Sequence, residues 1–170
     1  NPKTDKDIAV NYSVEDVIKA KAANKTALQK ELGLEENPDA FMLGIVSRLT
    51  DQKGLDLVDC VLDQICAEDV QLVVLGTGEG KYQDMFTYYS RKYPERVSAN
   101  IFYSEALSHR IYASCDAFLM PSLFEPCGLS QLMSLRYGTL PIVRETGGLR
   151  DTVTPYNEVD GTGTGSSFTN

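Results

Sequence analysis

The order of apolar and polar residues predicts a parallel β-sheet covered by helices. From Ala40 onward, short apolar runs alternate with stretches in which apolar residues recur at helical spacing. In chain order the runs are FMLGIV, LVVLG, ANIFY, AFLMP and LPIV. Runs of this length between amphipathic segments are typical of parallel strands that are buried on both faces. We therefore expect an α/β fold in which a doubly wound parallel sheet carries helices on both faces.

The first 38 residues have a different pattern. Residues 1–11 have no periodicity, and helix formers then run from Ser13 to Leu32, where Gly33 ends the segment. Residues 35–38 are rich in turn formers. The expected organisation is an N-terminal extended segment, helix and linker over residues 1–38, followed by the sheet domain over residues 39–170.

The predicted topology brings two distant loops together. In a doubly wound sheet the binding crevice lies beyond the carboxyl ends of the strands, where the strand order reverses. If the order is 3-2-1-4-5-6, the reversal falls between FMLGIV and AFLMP. The loop carrying Arg48 and Lys53 would then face the loop carrying Glu125.

Charge and composition exclude several classes of function. A net charge of −8 without a cluster of Lys or Arg argues against a nucleic-acid partner. No apolar run approaches the roughly 18 residues of a membrane span, and the first residues lack a signal-peptide pattern. Both ends resemble cuts in a longer chain. The cysteines have no metal-ligand spacing, so we expect buried free thiols in a reducing cytoplasm: Cys60, Cys66, Cys115 and Cys127.

Three charged side chains are the best candidates for chemistry. Arg48 and Lys53 follow the first strand and suit a diphosphate, because Arg offers a bidentate fork and Lys a mobile charge. Their alternative role is that of solvated cations in a polar loop. Glu125 directly precedes Pro126, and Gly128 then allows a ligand to approach the backbone. A helix N-terminal charge is the alternative role for Glu125.

Two helix starts are expected near this acid. One follows Gly128 and has its first amides near Leu129, and the other follows the turn Thr146–Gly147. The unpaired N–H groups of both helix starts would create an anion site. We assign the segment Gly76–Gly80 to a tight strand-to-helix turn, since it lacks the GxGxxG spacing of a dinucleotide site.

Two aromatic residues differ in their expected roles. Tyr103 lies at the carboxyl end of a predicted strand and is a candidate for stacking on a base. His109 is the only histidine, and no nucleophile or acid near it in sequence suggests a catalytic pair. We therefore expect a structural role for His109.

The longest motifs resemble those of one enzyme family. VSRLTDQKGLDL, QLVVLGTGEG and the stretch from FYSEALSHRIYASC through EPCGL, RYGTLP and TGGL are similar to the bacterial glycogen synthase and starch synthase family. The resemblance covers essentially the whole chain. It implies a Rossmann-like domain that forms the C-terminal, nucleotide-sugar-binding half of a GT-B glucosyltransferase. The other half, which binds the α-glucan acceptor, would lie outside this chain.

The resemblance also implies roles for individual residues. Arg48 and Lys53 would bind the donor diphosphate, Glu125 would hold the transferred glucose, and Tyr103 would stack on adenine. Further donor contacts would come from Cys127, Gly128, Leu129, Thr146 and Gly147. The implied donor is ADP-glucose, the implied reaction is retaining α-1,4-glucan elongation, and neither a metal nor another cofactor is expected. The chain alone would bind nucleotide without transferring glucose.

One position narrows the resemblance, and several alternatives stay open. Many GT-B enzymes have a second glutamate eight residues after the first, and this chain has Met133 there. The glycogen synthase group lacks that acid too, so Met133 favours this group over other GT-B nucleotide-sugar transferases. A non-catalytic nucleotide-binding module is a second alternative. Front-face attack and a covalent intermediate both remain possible routes to retention.

Overall fold

A six-stranded parallel sheet forms the centre of the protein. The structure, a computed structural model, describes residues 1–169. The strands are β1 (Phe41–Val46), β2 (Val70–Leu75), β3 (Val97–Asn100), β4 (Ala117–Met120), β5 (Leu140–Arg144) and β6 (Ser166–Phe168). Their order is β3-β2-β1-β4-β5-β6, and all neighbouring strands are parallel. The predicted doubly wound α/β fold is therefore confirmed, and the strands have the order under which the two charged loops were expected to meet.

Two strands differ from the apolar pattern. β3 ends at Asn100, so the apolar residues Ile101–Tyr103 follow the strand instead of forming it. β6 has the polar sequence Ser-Ser-Phe and pairs with β5 at the sheet edge. An edge strand needs little apolar character because it has one neighbour and is partly exposed.

Six helices connect and cover the strands. They are α1 (Val17–Leu32), α2 (Leu55–Ala67), α3 (Gly80–Lys92), α4 (Glu105–Ser114), α5 (Ser130–Arg136) and α6 (Gly147–Thr152), with a 3₁₀ turn at Asp51–Lys53. α1 begins at Val17 instead of Ser13, because the Ser13 amide donates a 2.7 Å hydrogen bond to the Asp16 carboxylate in a turn before the helix. Gly33 ends α1 as predicted, with a left-handed φ of 69°.

The sheet has an apolar core on each face. On one face, Leu62 of α2 and Phe86 of α3 are fully buried against strand residues such as Leu72. On the other face, the N-terminal segment contributes Ile8 and Tyr12 to a cluster that includes Phe118 and Tyr137. The Tyr12 hydroxyl donates a 2.8 Å hydrogen bond to the Tyr137 carbonyl. The N-terminal segment is thus packed into the core of the sheet domain.

The four cysteines are free, but only two are buried as expected. Cys66 and Cys115 are buried, and burial raises the pKa of the Cys115 thiol to about 12. The prediction is wrong for Cys60 and Cys127, which are exposed. Cys60 lies on the outer face of α2, and Cys127 lies in the loop before α5. Within residues 1–169, no helix combines the length and the apolar character that crossing a membrane requires.

Candidate active site

The charged loops that follow β1 and β4 meet at the reversal of the strand order. β1 and β4 are adjacent and parallel, so the segments after their carboxyl ends lie side by side. Lys53 Nζ lies 2.7 Å from Glu125 Oε2, and the Ser122 hydroxyl donates a longer hydrogen bond of 3.4 Å to the same oxygen. The predicted meeting of the two loops is confirmed.

Backbone contacts hold these loops together. The Leu123 amide donates to the Gln52 carbonyl at 2.9 Å, and the Gln52 side-chain amide donates to the Phe124 carbonyl at 3.2 Å. Gly54 lies directly against the second loop, since a Cβ there would be 2.1 Å from the Pro121 carbonyl oxygen. Its φ of 67° is also unfavourable for other residues. The roles of Gln52 and Ser122 were not predicted from the sequence, because they depend on contacts that form only when the two loops pack together.

Two adjoining cavities open at this edge of the sheet. The smaller cavity, of about 220 Å³, is lined by Lys53, Ser122 and Glu125 among others. The larger cavity, of about 400 Å³, extends toward Tyr103. Both cavities are lined by Val46, Ser47, Arg48, Leu129 and Ser130. An elongated ligand could occupy both cavities. One end would contact Glu125 in the smaller cavity, a ring at the other end would lie near Tyr103 in the larger cavity, and the part between them would pass Arg48.

Positive charge lies at the junction of the cavities. Arg48 is exposed and, within the part of the chain that the structure describes, forms no ion pair. Lys53 is largely buried and is paired with Glu125. α5 also begins here, where the left-handed Gly128 turns the chain into the helix at Ser130. This arrangement of a free guanidinium, a paired ammonium and the start of a helix suits an anionic group.

The second predicted helix start supports the Glu125 loop from behind. The Gly148 amide at the start of α6 donates a 3.0 Å hydrogen bond to the backbone carbonyl of Glu125. A Cβ on Gly147 would lie 2.2 Å from that same oxygen, so the turn needs glycine for close packing. Thr146 donates its hydroxyl to the Leu123 carbonyl at 3.3 Å. Thr146 and Gly147 are therefore placed against the loop and outside the lining of the two cavities.

The loop before α5 places its three predicted binding residues differently. Leu129 lines both cavities, whereas Cys127 and Gly128 lie beside them. The Gln131 side chain donates to the carbonyls of Cys127 and Gly128 at 3.1 and 2.7 Å. Gln131 is fully buried, so these bonds fix the loop conformation from inside the protein.

The larger cavity has an aromatic rim. Tyr103 is 87% exposed there, which leaves its ring free to stack on a planar group. Met133, the position of the second acid in many GT-B enzymes, lines the same cavity. His109 also lines it, and His109 Nδ1 lies 2.9 Å from Asp5 Oδ2 on the N-terminal segment. The contact ties that segment to α4, consistent with the structural role predicted for His109.

One side-chain group among residues 1–169 has the spacing of metal ligands. Asp5, Asp7 and His109 each place one ligand atom within 4.8 Å of the others. Asp5 is also hydrogen-bonded by the Tyr137 hydroxyl, and burial together with this carboxylate raises the pKa of Tyr137. Because protein donors already surround Asp5, we assign the group to packing of the N-terminal segment.

The family assignment follows from sequence comparison. Residues 25–167 match the family model described as "Glycosyl transferases group 1". The chain belongs to this glycosyl transferase family. It is 71% identical over all 170 residues to a glycogen synthase of Lachnospira eligens and 65% identical to one of Lachnoclostridium phytofermentans. The chain spans 36% of the length of each of these relatives.

Solved structures of glycosyl transferases share the fold. The catalytic domain of starch synthase IV from Arabidopsis thaliana, bound to ADP and acarbose, superposes with a TM-score of 0.90 and 36% identity. The match covers all of this chain and 36% of that one. Sucrose-phosphate synthase from Thermosynechococcus elongatus superposes with a TM-score of 0.65 at 22% identity, a likeness of fold alone. The predicted GT-B type of Rossmann-like domain is thereby confirmed.

Proposed function

We propose that this chain is the donor-binding domain of a glycogen synthase, a retaining glucosyltransferase that moves glucose from ADP-glucose to an α-glucan. Its close relatives are glycogen synthases, and the structurally similar starch synthase IV domain binds ADP. Since the chain spans about a third of those relatives, the acceptor site belongs in this proposal to another domain.

The observation that carries the proposal is the pair of cavities joined at Arg48. A nucleotide sugar has a base, a diphosphate and a sugar in linear order. In the proposed pose the base stacks on Tyr103, the diphosphate passes Arg48 and the start of α5, and glucose lies beside Glu125. The smaller cavity, of about 220 Å³, has room for only part of such a ligand, whereas the two cavities together fall within the roughly 300–1,000 Å³ that is typical of ligand sites.

The proposed chemistry is electrostatic. When the bond between glucose and diphosphate breaks, negative charge grows on the leaving phosphate, and Arg48 and Lys53 would stabilise it. Glu125 would stabilise the positive charge that develops on glucose. In this proposal the two cationic side chains supply the positive charge, so no metal ion or other cofactor is invoked. Four free thiols are consistent with the cytoplasm as the proposed location.

Titration calorimetry of the 170-residue chain with ADP, ADP-glucose and UDP-glucose tests the proposal. We expect ADP and ADP-glucose to bind and UDP-glucose to bind more weakly. Tighter binding of UDP-glucose would favour another GT-B transferase. No binding of any of the three nucleotides would refute the assignment.

The same chain should not elongate glycogen, although it binds ADP. Orientation of two substrates and exclusion of water each contribute several kcal/mol to catalysis, and both require the acceptor-binding domain. Incorporation of labelled glucose into glycogen measures this. Turnover by the 170-residue chain at about one per second, a rate typical of complete enzymes, would contradict the need for a second domain.

A further inference from the structure

The turn Gly76–Gly80, between β2 and α3, contacts the loop that carries both cations. The Leu49 amide donates a 2.9 Å hydrogen bond to the Thr77 carbonyl, and the Glu79 amide donates a 2.8 Å hydrogen bond to the Leu49 carbonyl. Leu49 and Gly78 form an isolated parallel bridge, and the Leu49 side chain is fully buried. Leu49, the first residue after Arg48, thus ties this loop to the turn by two backbone hydrogen bonds.

Glycine is required for this approach. A Cβ on Gly76 would lie 1.9 Å from the Ser47 carbonyl oxygen, and a Cβ on Gly78 would lie 2.2 Å from the Leu49 carbonyl oxygen. Both contacts are with backbone, which cannot move aside as a flexible side chain could. Gly76 and Gly78 therefore allow the close approach of the neighbouring loop, a role that the sequence pattern alone did not indicate.

Glu79 makes a second attachment to the same loop. Its Oε1 accepts a 3.1 Å hydrogen bond from the Asp51 amide, at the first residue of the 3₁₀ turn that contains Lys53. The Asp51 carboxylate in turn accepts a 2.6 Å hydrogen bond from the Tyr82 hydroxyl and pairs with Lys81, both on α3. These hydrogen bonds lower the pKa of the Asp51 carboxyl.

We infer that Glu79 is a positioning residue for the donor diphosphate site, acting through the backbone of the loop that carries Arg48 and Lys53. The inference rests on the proposed function of that site. Arg48 and Lys53 lie on either side of the two attachment points, Leu49 and Asp51. Because the backbone between the two cations is already fixed, nucleotide binding has less conformational freedom to remove, and this favours ADP affinity.

Three variants of the 170-residue chain separate this role from general stability. Glu79→Ala removes the acceptor, and Glu79→Gln removes the charge but keeps an acceptor oxygen. Asp84→Ala removes an exposed acid further along α3 and serves as the matched control. Three measurements apply to each variant: the thermal midpoint, the hydrogen-exchange rate of the Asp51 amide by NMR, and the ADP affinity by calorimetry.

We expect Glu79→Ala to speed exchange of the Asp51 amide and to weaken ADP binding about fivefold to tenfold, the scale of one ordinary intramolecular hydrogen bond, because the Glu79–Asp51 bond is exposed to solvent. Glu79→Gln should keep most of the slow exchange of the Asp51 amide and most of the ADP affinity. Asp84→Ala should match the unchanged chain in both measurements. The thermal midpoint shows whether each variant is folded at the temperature of the titration.

Several outcomes would overturn the inference. Unchanged ADP affinity in Glu79→Ala, with or without faster exchange, would mean that the attachment does not position the cations. Equal losses of ADP affinity in Glu79→Gln and Glu79→Ala would mean that the negative charge near the start of α3, and not the hydrogen bond to the Asp51 amide, supports ADP binding. If Arg48→Ala weakens ADP binding while Glu79→Ala does not, only this inference fails. Absence of ADP binding to the unchanged chain would refute the proposed function as well.

Discussion

Lys53 and Glu125 form an ion pair of 2.7 Å between two loops that are 72 residues apart in the chain. Their side chains are only 17% and 14% exposed, so both charges are largely removed from water. In the proposed function a donor phosphate would compete with Glu125 for Lys53. Nucleotide binding and the position of the acid are therefore expected to be coupled.

Loss of either cation should weaken ADP binding. We expect Arg48→Ala and Lys53→Ala to reduce ADP affinity about tenfold to a hundredfold, because a charge-assisted hydrogen bond contributes about 1.5–3 kcal/mol. Calorimetry measures the change. Lys19→Ala, at an exposed lysine on α1, is the control for loss of one positive charge. Unchanged affinity in both loop variants would show that neither Arg48 nor Lys53 binds the diphosphate of ADP.

The ion pair should also affect stability. Lys53→Ala leaves the Glu125 carboxylate largely buried without its cation, and we expect a loss of about 2 kcal/mol in the free energy of unfolding. Adding Glu125→Gln removes the unpaired charge and should recover part of that loss. Urea unfolding of both single variants and the double variant gives the coupling energy. Additive effects of the two substitutions would contradict an energetic role for the pair.

Glu125→Gln should separate turnover from nucleotide affinity. In the full-length enzyme we expect turnover to fall about a hundredfold, which corresponds to about 2.7 kcal/mol of transition-state stabilisation. ADP affinity should stay the same or increase, because ADP has no glucose and Lys53 is released from its partner. Parallel losses of turnover and affinity would show that Glu125 shapes the phosphate loop. Normal turnover would contradict its catalytic role.

The two exposed cysteines offer a test of the site without substitution. Cys127 belongs to the loop beside the cavities, whereas Cys60 lies on the outer face of α2. We expect ADP-glucose to slow alkylation of Cys127 by iodoacetamide and to leave the rate at Cys60 unchanged. Peptide mass spectrometry over time measures both rates in one sample. Equal rates at Cys127 with and without ADP-glucose would argue against a donor site at this loop.

The sequence by itself determined the elements and their order. Four apolar runs coincided with strands, a fifth overlapped only the end of β3, and Gly33 marked the end of α1, because these features depend on residues that are close in the chain. The edge strand β6 was not marked, since its exposure removes the need for apolar residues. Placing Arg48, Lys53 and Glu125 together needed one further rule, the reversal of strand order at the crevice.

The tertiary structure decided the contacts within the site. That Lys53 and Glu125 form a buried pair, and that the Gly148 amide holds the Glu125 backbone, depends on packing between distant segments. The same holds for Glu79, whose local pattern indicated only a turn. Exposure of Cys127 likewise depends on how its loop packs. Such distances are set by the packing of strands and loops from separate parts of the chain, so a local pattern of residues does not predict them.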